Sequence, residues 1–188
     1  MIKAIDTDYK GYKFRSRLEA RWAVFFDVLG IEWEYEKEGY ELGAGERYLP
    51  DFALSGIGLR DCGNKDGVWA EVKPRDQTSC GKLERLVEMS KKDGILLSGQ
   101  PGDQWQYGGM GDGHYQYKYR AGSDVWWDNC MYFMKCYTCG AVKIEFLEGN
   151  YMVCESCQGT CDDGHPSILK AIWEARSARF EFNGKAHA

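Results

Sequence analysis

Tyr48-Leu49-Pro50-Asp51-Phe52 and the run Val68-Trp69-Ala70-Glu71-Val72-Lys73, whose Glu71 lies twenty residues beyond Asp51, are the stretches on which the fold and chemistry of this chain turn. The second predicts a strand over 68–72, and Arg47 to Leu54 predicts the strand before it. A polar loop with Gly63, Asn64, Asp66 and Gly67 separates them. Strand side chains alternate between faces, so Glu71 and Lys73 share one face while Val72 points to the opposite, apolar side. Pairing of the two strands adds Asp51, and two acids and a lysine converge. Phosphodiester hydrolysis asks for such a set: hard oxygen ligands for Mg²⁺ or Mn²⁺, an activated water, and a cation near the developing charge.

Upstream, Ser16-Arg17-Leu18-Glu19 has the form of a capping box. Leu18, Trp22, Phe25, Phe26 and Leu29 then recur at helical spacing until Gly30, which predicts an amphipathic helix over 16–29. Ile31, Trp33 and Tyr35 alternate with Glu32 and Glu34 as a half-buried strand does, and a turn through Gly43 and Gly45 leads back to the opening stretch. After Pro74, Leu83, Leu86, Val87 and Met89 mark a second helix over 79–92, and Ile95-Leu96-Leu97 marks a short buried strand. The order is helix, three strands in a meander, helix, strand, in a first domain expected over 1–100. The fold class is α/β of the α+β kind.

These residues resemble a known family. Pro50-Asp51, the spacer, Glu71-Val72-Lys73 and a preceding helix bearing Glu19 look like the PD-(D/E)XK superfamily of restriction-endonuclease-like nucleases, whose common core has the same element order. Arg15-Ser16-Arg17-Leu18-Glu19-Ala20-Arg21 leading into Tyr48–Phe52 is further similar to phage or prophage nucleases of that superfamily, and to its transposon end-cleaving and junction-resolving members. The resemblance covers about the first hundred residues. It implies a Mg²⁺- or Mn²⁺-dependent endonuclease acting on duplex or branched DNA. Asp51, Glu71, Lys73 and Glu19 would be catalytic, with Asp51, Glu71 and Glu19 on the metal, the Val72 carbonyl as a further ligand, and Lys73 orienting or helping to deprotonate the attacking water. Gln77 invites comparison with a glutamine of some exonuclease branches, but the aromatic that accompanies it there is missing, so a surface position is expected.

Each piece also has a bland reading. Pro-Asp is a common turn, Glu-x-Lys marks many solvated strand faces, and Glu19 can serve its helix start alone. Joint placement in the right order is what lifts the set. The net charge of −5 and pI near 5.3 weigh against a nucleic-acid partner, since phosphate binding is dominated by Lys and Arg. The cluster Lys10, Lys13, Arg15, Arg17 and Arg21, and cations bound in an acidic site, weigh the other way. The alternative is a noncatalytic nucleic-acid- or protein-binding factor, for example an anti-defence protein, that keeps the nuclease fold. A third reading is a zinc-ribbon adaptor whose N-terminal domain docks to a partner. Cutting both strands often needs two active sites, so a homodimer is compatible with the first.

Residues 101–129 read as a Gly- and aromatic-rich linker with one extra strand, Tyr115, Tyr117 and Tyr119 alternating with polar residues before Trp126-Trp127. Cys136-Tyr-Thr-Cys139 and Cys154-Glu-Ser-Cys157, fourteen residues apart, then have the spacing of a structural Cys₄ Zn²⁺ ribbon over 130–165. Val142, Ile144 and Phe146, a turn at Gly149-Asn150, and Tyr151 and Val153 predict a hairpin joining the knuckles. Cys161 or His165 can replace a ligand, Cys130 lies close by, and Cys62 and Cys80 are expected to be ordinary thiols. Lys135, Lys143, Tyr137 and Tyr151 offer a DNA contact, and a scaffolding role is equally open. Residues 166–188 form a last helix, from about Ser167 to Phe180, and a tail. His114, His165 and His187 have no nucleophile at a recognisable spacing. Without a secretory signal or a long apolar run, the expected setting is cytoplasmic (the host's cytoplasm if phage-encoded), with no membrane partner. There, paired cysteines favour metal over disulfides.

Overall fold

The computed structural model describes residues 4–58, 67–75, 77, 80–103, 116–119, 131–146 and 152–180. A hairpin of β1 (Thr7–Tyr9) and β2 (Tyr12–Phe14) leads into helix α1 (Arg17–Leu29). Then come β3 (Glu32–Tyr35), the short pair β4 (Tyr40–Glu41) and β5 (Arg47–Tyr48), β6 (Phe52–Ser55) and β7 (Val68–Lys73). Helix α2 (Gly81–Ser90), β8 (Gly94–Ser98) and β9 (Gln116–Tyr119) follow. The C-terminal part holds β10 (Met131–Cys136), β11 (Val142–Phe146), β12 (Met152–Val153), β13 (Thr160–Asp162) and helix α3 (Pro166–Ser177). The fold is mixed α/β, with three helices and four sheets among the described residues. No helix among them is long and apolar enough to cross a membrane.

The central sheet runs β3-β6-β7-β8-β9. Its neighbours are antiparallel except β7 and β8, which are parallel and joined through α2. Alternation sorts the side chains: Phe52, Leu54, Val68, Ala70 and Val72 meet α1, whereas Ala53, Trp69 and Leu96 pack on Leu83, Leu86 and Val87 of α2. Helices therefore cover both faces. Ser16 caps α1 as its box requires, its Oγ accepting the Glu19 N–H at 3.2 Å, and Gly30 ends the helix at a φ of 76°.

The apolar core does not stop at residue 100. Phe133 of β10, Ile144 of β11 and Ile168, Ala171 and Ala175 of α3 lie in one cluster with Trp22, Phe25 and Phe26 of α1. The Phe133 ring centroid is 5.1 Å from that of Phe25. Gly102 allows α3 to approach, since a Cβ there would stand 2.4 Å from Ile172 Cγ2. The segments read from sequence as ribbon and last helix share a core with the first hundred residues.

Some expectations change. The single strand over 47–54 is two, because Pro50 has no N–H for a ladder; β5 pairs with β4 and the sheet resumes at Phe52. Unforeseen was the β1–β2 hairpin, whose turn has Lys10 at a φ of 49° and Gly11 at 83°, the pattern of a two-residue primed turn. The strand expected near 115–119 finds its partner in β8, with Ile95 opposite Lys118. In the cysteine-rich part, the predicted β11–β12 hairpin does not form. The order β11-β10-β13-β12 puts these strands on opposite edges, and each knuckle sits at the bend of its own hairpin, β10–β11 or β12–β13. Gly63, Asn64, Asp66, Trp126-Trp127, the turn at Gly149-Asn150, and Cys62, His114, Tyr115, Cys130, Tyr151 and His187 lie outside the described residues.

Phe52 is fully buried and its ring touches Phe14, Phe26, Trp33 and Tyr35. Phe52→Ala is expected to cost about 3–5 kcal/mol in denaturant unfolding. A loss below about 1 kcal/mol would show that this ring does not bear the core.

Candidate functional site

The acidic site follows from the break at Pro50. In the β6–β7 register Phe52 lies opposite Ala70, so one further step sets Asp51 opposite Glu71 on the face of Ala53 and Trp69. Lys73 follows at the same parity. These three, with Glu19, Arg15 and Tyr48, line one cleft of about 550 Å³ at the strand ends. Asp51, Glu71 and Glu19 are only 2%, 5% and 7% exposed, so each charge needs a polar partner inside the protein.

Every carboxylate oxygen has one. Asp51 Oδ1 accepts from Arg15 Nη2 at 2.5 Å and Oδ2 from the Val72 main-chain N–H at 2.7 Å. Glu71 Oε1 accepts from Lys73 Nζ at 2.5 Å and Oε2 from the Tyr48 hydroxyl at 2.7 Å. Glu19 Oε1 accepts from Ser16 Oγ at 2.7 Å; Oε2 accepts from the Tyr35 hydroxyl at 2.6 Å and the Arg15 N–H at 3.1 Å. Glu19 is thus both a helix cap and a wall of the cleft. The three acids share the cleft, yet they do not draw together as a ready cage: among the described residues, Cys136, Cys139, Cys154 and Cys157 are the one metal-binding group whose ligand atoms all lie within 4.8 Å of one another.

Burial, then the charge of Glu71, pushes the Asp51 carboxyl up to about 7, against the pull of the Val72 N–H and Arg15. Burial acts to lower Lys73, but the hydrogen bond and charge of Glu71 outweigh it, so its ammonium is held above its ordinary value. Burial also raises the Cys80 thiol, which lines the same cleft. Arg15, Tyr48 and Cys80 were not singled out from sequence as parts of this site. Arg15 reaches Asp51 across 36 positions and Tyr48 reaches Glu71 across 23, separations that leave no local pattern. Gln77 is exposed, its carbonyl accepting from Ser98 Oγ at 3.0 Å.

The second site is the thiolate cluster. Cys136 and Cys157 Sγ are 3.5 Å apart, and Cys139 and Cys154 Sγ are 3.6 Å apart. Four sulfurs at about 2.3 Å from a tetrahedral Zn²⁺ stand roughly 3.8 Å from one another, so the donor set fits that ion. The Thr138 N–H points at Cys136 Sγ. Although burial opposes it, such main-chain N–H bonds hold the Cys136 thiol at about 6, near the thiolate a metal needs. Two sequence alternatives drop out of the cluster. Cys161 packs with Met134, Cys136 and Cys154 in a small core but is not among the four cysteines whose sulfurs converge, and His165 caps α3, its Nδ1 accepting the Ser167 N–H at 3.1 Å. Lys143, proposed for DNA contact, is buried and donates to the Val153 carbonyl at 3.2 Å, which removes it from any surface. Tyr137 is exposed and packs on His165 at 4.5 Å.

No protein-family model, curated protein or solved structure matches the chain. Both sites are therefore read from their own geometry.

Two expectations follow. Asp51 titrates near 3.8 when unperturbed and near 7 in the fold, so folding takes up a proton between those values and stability falls as pH rises across the window. Without added divalent cation, Asp51→Asn is expected to melt above wild type at about pH 8 and close to it at about pH 4; equal shifts at both would sink the assignment. At Gly159 a Cβ would stand 2.4 Å from Thr138 Oγ1 and 3.1 Å from Cys136 Sγ. Gly159→Ala is expected to weaken zinc retention and Cys154→Ser to abolish it, measured by elemental analysis of dialysed protein. Undiminished zinc in Cys154→Ser would remove this residue from the ligand set.

Proposed function

We propose that the chain is a metal-dependent nuclease with a restriction-endonuclease-like core, hydrolysing phosphodiester bonds of DNA. The observation that carries this reading is the meeting of Asp51, Glu71, Lys73 and Glu19 in one cleft, at the ends of the inner strands β6 and β7, in a chain whose core elements run α1, β3, β6, β7, α2, β8. Resemblance to the PD-(D/E)XK superfamily supports it, as does the hard oxygen chemistry of the acids.

In this reading Asp51 and Glu71 hold one or two Mg²⁺ or Mn²⁺ ions, with Glu19 and the Val72 carbonyl as further oxygen donors. A bound divalent cation would lower the pKa of the attacking water and offset charge on the leaving oxygen. Lys73, kept protonated by Glu71, supplies a fixed positive charge that orients the nucleophile and steadies the phosphate; a group held above its ordinary pKa is a poor base. Zn²⁺ on the four cysteines is structural, since a closed Cys₄ set leaves no position for substrate. DNA is the proposed partner, the cytoplasm the proposed setting, and a homodimer suits double-strand cleavage.

One observation favours a second reading. All six carboxylate oxygens are engaged by protein donors, as they would be in a noncatalytic nucleic-acid- or protein-binding factor that keeps the fold and uses its acids for structure. Incubation of plasmid and branched DNA with Mg²⁺ or Mn²⁺ separates the two. The nuclease reading expects cleavage by wild type, loss by more than about a hundredfold in Asp51→Ala and Glu71→Ala, and a loss on the order of a hundredfold in Lys73→Ala, with zinc content unchanged. Cleavage persisting in both carboxylate variants rejects the assignment, and DNA binding without cleavage supports the second reading.

A further inference from the structure

Arg15 touches two of the three acids and also faces solvent. Its main-chain N–H donates to Glu19 Oε2, its Nη2 to Asp51 Oδ1 at 2.5 Å and its Nε to Glu36 Oε1 at 2.8 Å. The side chain is 58% exposed, whereas that of Asp51 is 3% exposed. A guanidinium so open to water gains little from an ion pair, while the buried carboxylate, once ionised, needs a cation beside it. Asp51 Oδ2 is fixed by the Val72 N–H inside the sheet, so Oδ1 is the oxygen that can exchange partners. A divalent ion carries twice the charge of Arg15 in a smaller volume and prefers a hard carboxylate oxygen. Glu36 keeps the guanidinium at the mouth of the cleft, and its planar fork of donors matches the oxygens of a phosphate.

Resting on the proposed nuclease reading, we infer that Arg15 is the phosphate-positioning residue of the site, exchanged from Asp51 onto a backbone phosphate of the DNA when a divalent cation takes Asp51 Oδ1. Cation and phosphodiester then bind with positive coupling, because the cation frees the arginine that the phosphate uses. No covalent step is involved.

The test is Mn²⁺ binding to the full-length, zinc-loaded protein, followed by electron paramagnetic resonance of free Mn²⁺, with and without a short phosphorothioate DNA duplex. For wild type the duplex is expected to tighten Mn²⁺ binding by roughly tenfold, the worth of one charge-assisted hydrogen bond pair. Arg15→Ala should bind Mn²⁺ more tightly than wild type without DNA and lose the response to the duplex, and Arg15→Lys should restore part of it. Arg15→Ala that matches wild type in both measurements, or that binds Mn²⁺ more weakly, overturns the inference. Asp51→Ala separates the levels. If it abolishes Mn²⁺ binding while Arg15→Ala changes nothing, only the role of Arg15 falls; if wild type and Asp51→Ala bind Mn²⁺ alike, or wild type binds none, the nuclease reading falls and takes this one with it. Melting curves and zinc content of each variant guard against misfolding.

Discussion

The arrangement around the cleft answers to two acids held side by side in a nearly dry place, where ionising Asp51 beside Glu71 costs stability. Asp51 and Glu71 face each other across the β6–β7 ladder, and no apolar packing can compensate an unpaired carboxylate there. Arg15, Lys73, the Tyr48 hydroxyl and the Val72 N–H are arranged around that demand. Much of the surrounding architecture serves to deliver them: the capped start of α1 fixes the main chain of Arg15, the β4–β5 pair carries Tyr48, and the last strand position of β7 carries Lys73.

The thiolate cluster answers a different need. β12 and β13 are only two and three residues long and pair over only two positions, too few for hydrogen bonds alone to hold that hairpin. Closing both knuckles on one ion would fix the bends of both hairpins at once. The aromatic side chain of Phe133 then projects from β10 into the cluster around Trp22 and Phe25, so the small sheet helps support α1. Residues fixed by thiolate chemistry and residues fixed by burial belong to one mechanical unit.

Much of this is legible in the chain itself. The 3.6 periodicity of α1, its Ser16 cap and Gly30 stop, and the alternation in β3 are local signals, and they fall where expected. Pairing of Asp51 with Glu71 is also legible, because period-2 geometry carries across a meander. What the sequence hides is non-local. Pro50 was visible as part of a motif, but its effect in splitting a strand depends on which neighbour needs its missing N–H. The knuckles were plain from spacing, whereas the strand order around them was not, since alternating residues say that a strand exists without naming its partner. Arg15 looked like one charge in a basic cluster until the fold set it against Asp51.

The wrapping of α1 has a consequence for how the chain comes off the ribosome. Trp22, Phe25 and Ala20 are covered in part by Phe133, Ala171 and Ala175, residues made more than a hundred positions later. During synthesis the N-terminal helix therefore waits with a greasy flank uncovered until the last helix emerges. Vectorial production thus leaves the acidic cleft without its full backing until the C-terminal segment has docked, so a nascent or truncated polypeptide lacks the support the finished molecule has.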